Sequence, residues 1–533
     1  MAKTIKSKRT RTVKVEQDTV TRATAHGGAV LADKLLRRLG VLGALRRHLP
    51  ERSPDAAYPA AESSYALIAA LILGGRGISA AEMLREDAAA AAAAGVEGCV
   101  PEEASMHRVL TEVAGLEPRA REDAYEPVGV WQPRMDIGGD VRPGPKLRRV
   151  RTGRVEAACE DTLKSLGALL ASMARSCFKK LKLRDATVLG FVPVFGDASD
   201  IEVRGECFDA AARGRDGQKH MRLFTLMVGP ILAALDLRPG NTDEGNHLPR
   251  MIRAAGATVK QLGLKGMRRL GLFDSAYFEN GVVRALNKVR WRFIIGANQM
   301  REILSRIVSE QPRTQWTDTG EDARRGWIES GVCAFTHLPG GWDAPVTIVA
   351  RRRREAGDLP GVWRYAFVGT NLEASDLPAA AVKQYGYAQL IWMLYGTKQG
   401  RENHYKQLLD EIGLHHPPSG RLGLNQVFYT LGAVASNLAM VLRYRVLGQA
   451  PPPCRAEDGQ PIDTDDAAPA MRKSKAPARD FGMTLRRVRE KYFQVAAVVK
   501  RSGRTLTVRL MTAGHTAERR LAWMSAWHAA SSL

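Results

Sequence analysis

Thr187-Val-Leu-Gly-Phe-Val-Pro-Val-Phe195-Gly-Asp197 is a β-branched and aromatic run that halts at a glycine and an acid. That composition reads as a strand, and the Gly-Asp pair reads as its end. Working outward, Arg222 to Val228 and Ile231 to Leu237 are two more strand-like runs, joined at Gly229-Pro230, a hairpin signal. Residues 244 to 263 carry a helical pattern. Leu270 to Phe273 is a short apolar strand ending in Asp274, and Trp291 to Ala297 is another. Three strands, a helix and then further strands predict an α/β fold, a mixed sheet with flanking helices.

Asp197 and Asp274 thus both stand at strand ends, where functional side chains collect in α/β sheets. A third acid lies in Tyr395-Gly-Thr-Lys398-Gln-Gly-Arg-Glu402-Asn-His-Tyr-Lys406. On a helix, Tyr395, Lys398, Glu402 and Lys406 fall in one narrow stripe. Three converging carboxylates cannot all stay ionised without a cation. Mg²⁺ or Mn²⁺ takes oxygen ligands, and a pair of such ions supports displacement at phosphorus. Each acid also has a plainer reading. Asp200 or Glu202 is an alternative to Asp197, Asp274 before Ser275 suits a helix cap, and Glu402 suits a surface pair with Lys398 or Lys406.

The bulk composition agrees with a phosphate-rich partner. The 533 residues carry a formal charge of +23, which points to nucleic acid first and an anionic membrane surface second. The six cysteines show no C-x-x-C pair, so neither zinc-ligand spacing nor a disulfide framework is expected. No Walker-type phosphate loop occurs. The longest apolar run, Val427 to Leu442, contains Thr430, Ser436 and Asn437 and reads as a buried core helix, so a soluble, cytoplasmic protein is expected, without a membrane partner.

The organisation read from the chain is a basic arm over residues 1–17 and a helical DNA-binding region over 18–130. The catalytic core follows over 131–285 and 371–450, interrupted by a mostly β insertion over 286–370. A linker and C-terminal region complete it over 451–533. Lys3, Lys6, Lys8, Arg9, Arg11 and Lys14 make the arm suited to phosphate contact. The alanine run Ala88 to Ala94 has high helix propensity but little recognition content, and the helix that starts at Pro101-Glu-Glu-Ala-Ser105, bearing His107 and Arg108, suits the second helix of a helix-turn-helix, with Arg108 as a DNA contact. The stretch between Asp274 and Glu402 is too long for one connection, and its short β-type runs require the insertion. Tyr492 to Val499 and Thr505 to Leu510 read as a C-terminal hairpin.

Several pieces in this order resemble bacterial insertion-sequence transposases of the DDE type, the group whose ribonuclease-H-like core is interrupted by a β insertion. The pieces are Asp197-Ala-Ser-Asp-Ile-Glu-Val-Arg-Gly205, Arg238-Pro-Gly-Asn-Thr-Asp243, Asp274-Ser-Ala-Tyr-Phe278 and Tyr395 to Lys406. Pro418-Ser-Gly-Arg421, the helix with Asn437, and Gly74-Gly-Arg-Gly77 with Leu84-Arg-Glu-Asp87 extend the likeness over most of the chain. The resemblance implies a metal-binding catalytic triad of Asp197, Asp274 and Glu402, with two Mg²⁺ or Mn²⁺ ions. It also implies contacts from Tyr395, Lys398 and Lys406 to the DNA end. Lys398 stands where the group has arginine and lacks its planar fork for phosphate. A tryptophan of the insertion, Trp327 or Trp316, would stack on a flipped base. Cleavage at element ends, strand transfer into target DNA and a homodimer on paired ends are the implied activity and assembly, located at the nucleoid. A catalytically silent DNA-binding descendant and a stand-alone nuclease are the competing readings.

Overall fold

The computed structural model describes residues 23–53, 55–117, 131–135, 141–145, 156–181, 188–204, 208–213, 217–262, 267–310, 312, 315–321, 326–398, 405, 407–448, 484–502, 505–511 and 516–533. The basic arm, most of 118–154, Glu402 and Lys406 lie outside the described residues.

The first core strand, β1 (Phe191–Glu202), pairs antiparallel with β2 (Lys219–Val228), Val194 facing Val228 and Glu202 facing His220. The Gly229-Pro230 turn then returns the chain as β3 (Ile231–Pro239), antiparallel to β2. On its other side β1 runs parallel to β4 (Arg268–Phe273), and β4 runs parallel to β5 (Arg292–Gly296). The order β3-β2-β1-β4-β5 with helices on its faces is the expected ribonuclease-H-like mixed sheet. One detail departs from expectation. β1 does not stop at Gly196-Asp197, because β2 supplies ladder partners as far as Glu202. The parallel ladder to β4 does stop, at Phe195 opposite Leu272.

The sheet continues past the core. β6 (Thr317–Asp318), β7 (Trp327–His337), β8 (Val346–Glu355) and β9 (Arg364–Thr370) form an antiparallel series. β9 pairs with β5, Val368 opposite Gly296 and Thr370 opposite Ile294. The expected insertion therefore extends the core sheet rather than standing apart from it. Its expected start at residue 286 falls inside the helix Asn280–Lys288, ahead of β5, which is a core strand.

Helices α1 (Ala29–Arg38), α2 (Val41–His48), α3 (Ala60–Leu73) and α4 (Glu103–Val113) come from the N-terminal region. α5 (Glu160–Lys180) follows, α6 (Glu244–Gln261) links β3 to β4, and α7 (Asn280–Lys288) links β4 to β5. α8 (Tyr387–Gly396) and α9 (Leu422–Val441) come after the insertion. Every residue of α9 is buried, because β3, α3, α4 and α5 all pack on it. Leu422–Val446 is long and apolar enough to cross a membrane, yet its most apolar 18-residue window lies wholly inside the protein. Asn437 joins this helix to the sheet: its side-chain oxygen accepts from Leu232 N–H at 2.8 Å and its amide donates to Leu232 C=O at 2.9 Å. Unpaired backbone groups on an edge strand are costly when buried, and Asn437 satisfies two of them.

The N-terminal helices are thus part of the same core. α4 buries Met106, Val109, Leu110 and Val113 and leaves Arg108 exposed. Residues 94–102 separate α4 from the alanine helix Ala88–Ala93, longer than the three- or four-residue turn of a helix-turn-helix. The expected C-terminal hairpin forms from Ala497–Ser502 and Thr505–Leu510, and the short strand Ala23–Thr24 pairs with it. Arg489, buried beside α3, donates to the carbonyls of Leu71 and Ile72 and so satisfies that helix's C-terminal acceptors.

Candidate active site

Register decides where the two aspartates stand. Phe195 pairs with Leu272, and Leu272 pairs with Ile294. Carried two residues further, the same alignment sets Asp197, Asp274 and Gly296 side by side at the ends of the two parallel ladders that join the three strands. Neighbouring strands lie about 4.8 Å apart, and residues in register share a face. The two carboxylates therefore project to the same side. Glycine makes the approach possible from the opposite face: a Cβ on Gly196 would meet the Phe273 ring at 2.6 Å. Phe273 is fully buried there, against Tyr277 at a centroid distance of 5.9 Å.

Helix α8 crosses the end of this row. A Cβ on Gly296 would stand 2.9 Å from the Tyr395 hydroxyl and 3.1 Å from Ser275 N, so the missing side chain admits both. The helix expected to run unbroken from Tyr395 to Lys406 is interrupted: α8 closes at Gly396, a turn follows at Thr397 and Lys398, and Tyr405 is helical again. Thr397 Oγ1 donates to Leu394 C=O at 2.6 Å, and Lys398 N–H donates to Tyr395 C=O at 3.0 Å, which tightens the end into a turn. That turn carries Lys398 onto Asp274, Nζ to Oδ1 at 3.3 Å, with the lysine only 13% exposed. Asp274 holds the cap position of the turn Ser275–Tyr277, but its side chain makes no capping hydrogen bond. Tyr405 is buried, and its hydroxyl donates to Phe195 C=O at 3.5 Å, two residues before Asp197.

Residues 221–452 match the family described as Transposase DDE domain group 1. The match takes in β2 to α9, with Asp274 and Glu402, and begins after β1 and Asp197. No curated protein matches the chain. Among solved structures, a piggyBac transposase synaptic complex with hairpin DNA aligns at 10% identity and a TM-score of 0.31. That alignment covers 65% of this chain and 66% of the other, just under two thirds of its length.

Across the matched segment and the strand before it, the fit to a divalent cation rests on the donor set. Among the described residues no three His, Cys, Asp or Glu side chains gather into a metal cluster. Asp197 and Asp274 are two hard oxygen donors in line, and the Lys398 ammonium already answers the negative charge at one of them. The third expected ligand, Glu402, and the expected DNA contact Lys406 lie outside the described residues.

The expected DNA contacts divide. Tyr395 and Lys398 lie at the aspartate row, whereas Arg108 is exposed on α4 near Glu112. Trp316 and Trp327 are each only 8% exposed, so neither offers an open ring for a base. Arginines of β8 cover them: Arg352 over Trp316 at 4.4 Å, Arg351 over Trp327 at 4.8 Å and Arg353 over Trp327 at 5.1 Å. Arg352 also lies over Trp363 at 4.4 Å, and Arg351 over Trp392 at 4.2 Å. Sequence reasoning missed this arrangement. Its trace is the run Arg351 to Arg354, which alternates between the two faces of a strand.

Proposed function

We propose that the protein is a DNA transposase of a bacterial insertion sequence, working in the cytoplasm at the nucleoid. It hydrolyses the phosphodiester at the element's ends and joins the freed 3′-hydroxyl to target DNA. The observation that carries this reading is the shared register of Asp197 and Asp274 beside Lys398, within and adjoining a transposase DDE domain. Asp197, Asp274 and Glu402 are assigned as the ligands of Mg²⁺ or Mn²⁺, which when bound supplies charge neutralisation at phosphorus and activation of the attacking oxygen. Tyr395 stands over Gly296 and Lys398 beside Asp274, and both are assigned to hold the DNA end. Phosphoryl transfer asks chiefly for positioning and charge stabilisation, which these side chains provide. The excess of basic residues supplies affinity for duplex DNA, and a dimer brings two ends together.

The test is cleavage and joining of a plasmid bearing the gene's own flanking DNA, with Mg²⁺ or Mn²⁺. Wild type is compared with Asp197→Ala, Asp274→Ala and Glu402→Ala. Product from wild type alone is expected. DNA binding without cleavage in all four means a silent DNA-binding protein, cleavage without joining means a nuclease, and equal cleavage in all four means other carboxylates act.

A further inference from the structure

Helix α8 holds Tyr395 and Lys398 over the aspartates, yet its own sequence, Tyr387 to Gly396, has no charged residue. Its buried stretch Leu390 to Leu394 packs by apolar contact, which is non-directional, and the Tyr387 hydroxyl, donating to Leu372 C=O at 2.7 Å, tethers only the start of the helix, two turns before Tyr395. A directional contact comes from the insertion. Arg351 of β8 places its guanidinium carbon 4.8 Å from the ring centre of Trp327 on β7 and 4.2 Å from that of Trp392 on α8. Both distances lie within the range of cation–π attraction, and both rings are nearly buried, where that attraction is strongest. Trp392 then meets Tyr395, one helical turn on, edge to face at 6.0 Å. From Tyr395 the connection reaches Gly296 and, through the closing turn, Lys398 and Asp274.

We propose that Arg351 is a positioning residue: clamped between Trp327 and Trp392, it fixes α8 so that Tyr395 and Lys398 stand over the carboxylate row. This role rests on the transposase reading above for its catalytic consequence, but not for its structural one. The guanidinium is suited to the place because it is planar and always charged, and its flat face stacks on aromatic rings. A leucine would fill the same space without fixing the helix's rotation. A merely structural arginine would act on the strand pairing of β7 and β8, whose register is set by the backbone ladder from Trp327–Glu355 to His337–Val346.

The experiment uses the full chain with Arg351→Met, which keeps most of the aliphatic stem, and Arg351→Lys, which keeps the charge. Hydrogen exchange of the 387–398 amides is measured on the free protein, and cleavage of element-end DNA is measured alongside. For Arg351→Met, exchange over 387–398 is expected about tenfold faster, with β1 and β4 unchanged and cleavage down by about tenfold. Arg351→Lys, which keeps the charge but not the stacking plane, is expected to recover part of both. Wild-type exchange over 387–398 in Arg351→Met, or acceleration confined to β7 and β8, overturns the proposal. If wild type does not cleave, the transposase reading fails, while the exchange result still decides the role of Arg351. Should Arg351→Met not fold, Trp392→Leu removes the same contact from the helix side and is read by the same criteria.

Discussion

Asn437→Leu isolates one contact that seats the central helix on the sheet. Asn437 is 1% exposed, and only one orientation of its amide serves both partners, the oxygen toward Leu232 N–H and the nitrogen toward Leu232 C=O. Leucine is close in size, so the substitution leaves little cavity and removes the hydrogen bonds selectively. The Leu232 N–H and C=O are then left facing hydrocarbon, at about 1–3 kcal/mol each. Burying the leucine side chain returns about 1.5–3 kcal/mol. The net expectation is a loss near 2 kcal/mol, concentrated where β3 meets α9. Urea denaturation followed by circular dichroism gives the global change, and hydrogen exchange at the Leu232 amide gives the local one. Stability within about 0.5 kcal/mol of wild type, with an unchanged Leu232 amide, would refute the argument that Asn437 closes the sheet edge.

Three further outcomes are expected. Lys398→Met, measured by end cleavage, is expected to lose on the order of tenfold in rate while Lys398→Arg retains activity, because the charge beside Asp274 is what the turn delivers. Among the described cysteines, Cys159 is expected to alkylate first at pH 8 by mass spectrometry: the side-chain and backbone hydrogen bonds from Thr162 lower its thiol pKa at the start of α5. Cys177 is expected to alkylate last, since burial pushes it up to about 12. Burial first and the Asp243 charge second raise the Glu279 carboxyl above 4.5, so its ionised form is disfavoured in the fold. Wild-type stability from this group is fully present below the unfolded pKa and is lost as pH rises through the folded value. Glu279→Gln is therefore expected to match wild type at pH 4 and to melt higher at pH 7; a gap of the same size at both would exclude the titration.

What the sequence showed and what it hid divide along local and non-local lines. The runs ending at Phe195, Val228 and Phe273 announced themselves because β-branched and aromatic residues suit a half-buried pleat. The extension of β1 through Ala198-Ser-Asp-Ile-Glu202 did not, because all of those residues except Ile201 are weak strand formers, held by β2 rather than by preference. The stripe from Tyr395 to Lys406 looked like one unbroken helix because spacing records no hydrogen bonds; Gly396 and the Thr397 hydroxyl end α8 inside it. The insertion looked separate because its union with the core lies in the pairing of β9 with β5, far apart in the chain. The same holds at the candidate site. Asp197 and Asp274 were visible as acids after apolar runs, but their side-by-side placement comes from a parallel register that no local pattern encodes. Trp316 and Trp327 were visible as aromatic residues, and what covers them was not. A strand's alternation states that Arg351 and Arg353 share one face and Arg352 and Arg354 the other, but not which ring each meets. For this protein, then, the chemistry-bearing residues could be named from sequence, whereas the groups that aim them, Asn437 at the sheet edge and Arg351 behind α8, emerge only once distant segments are brought together.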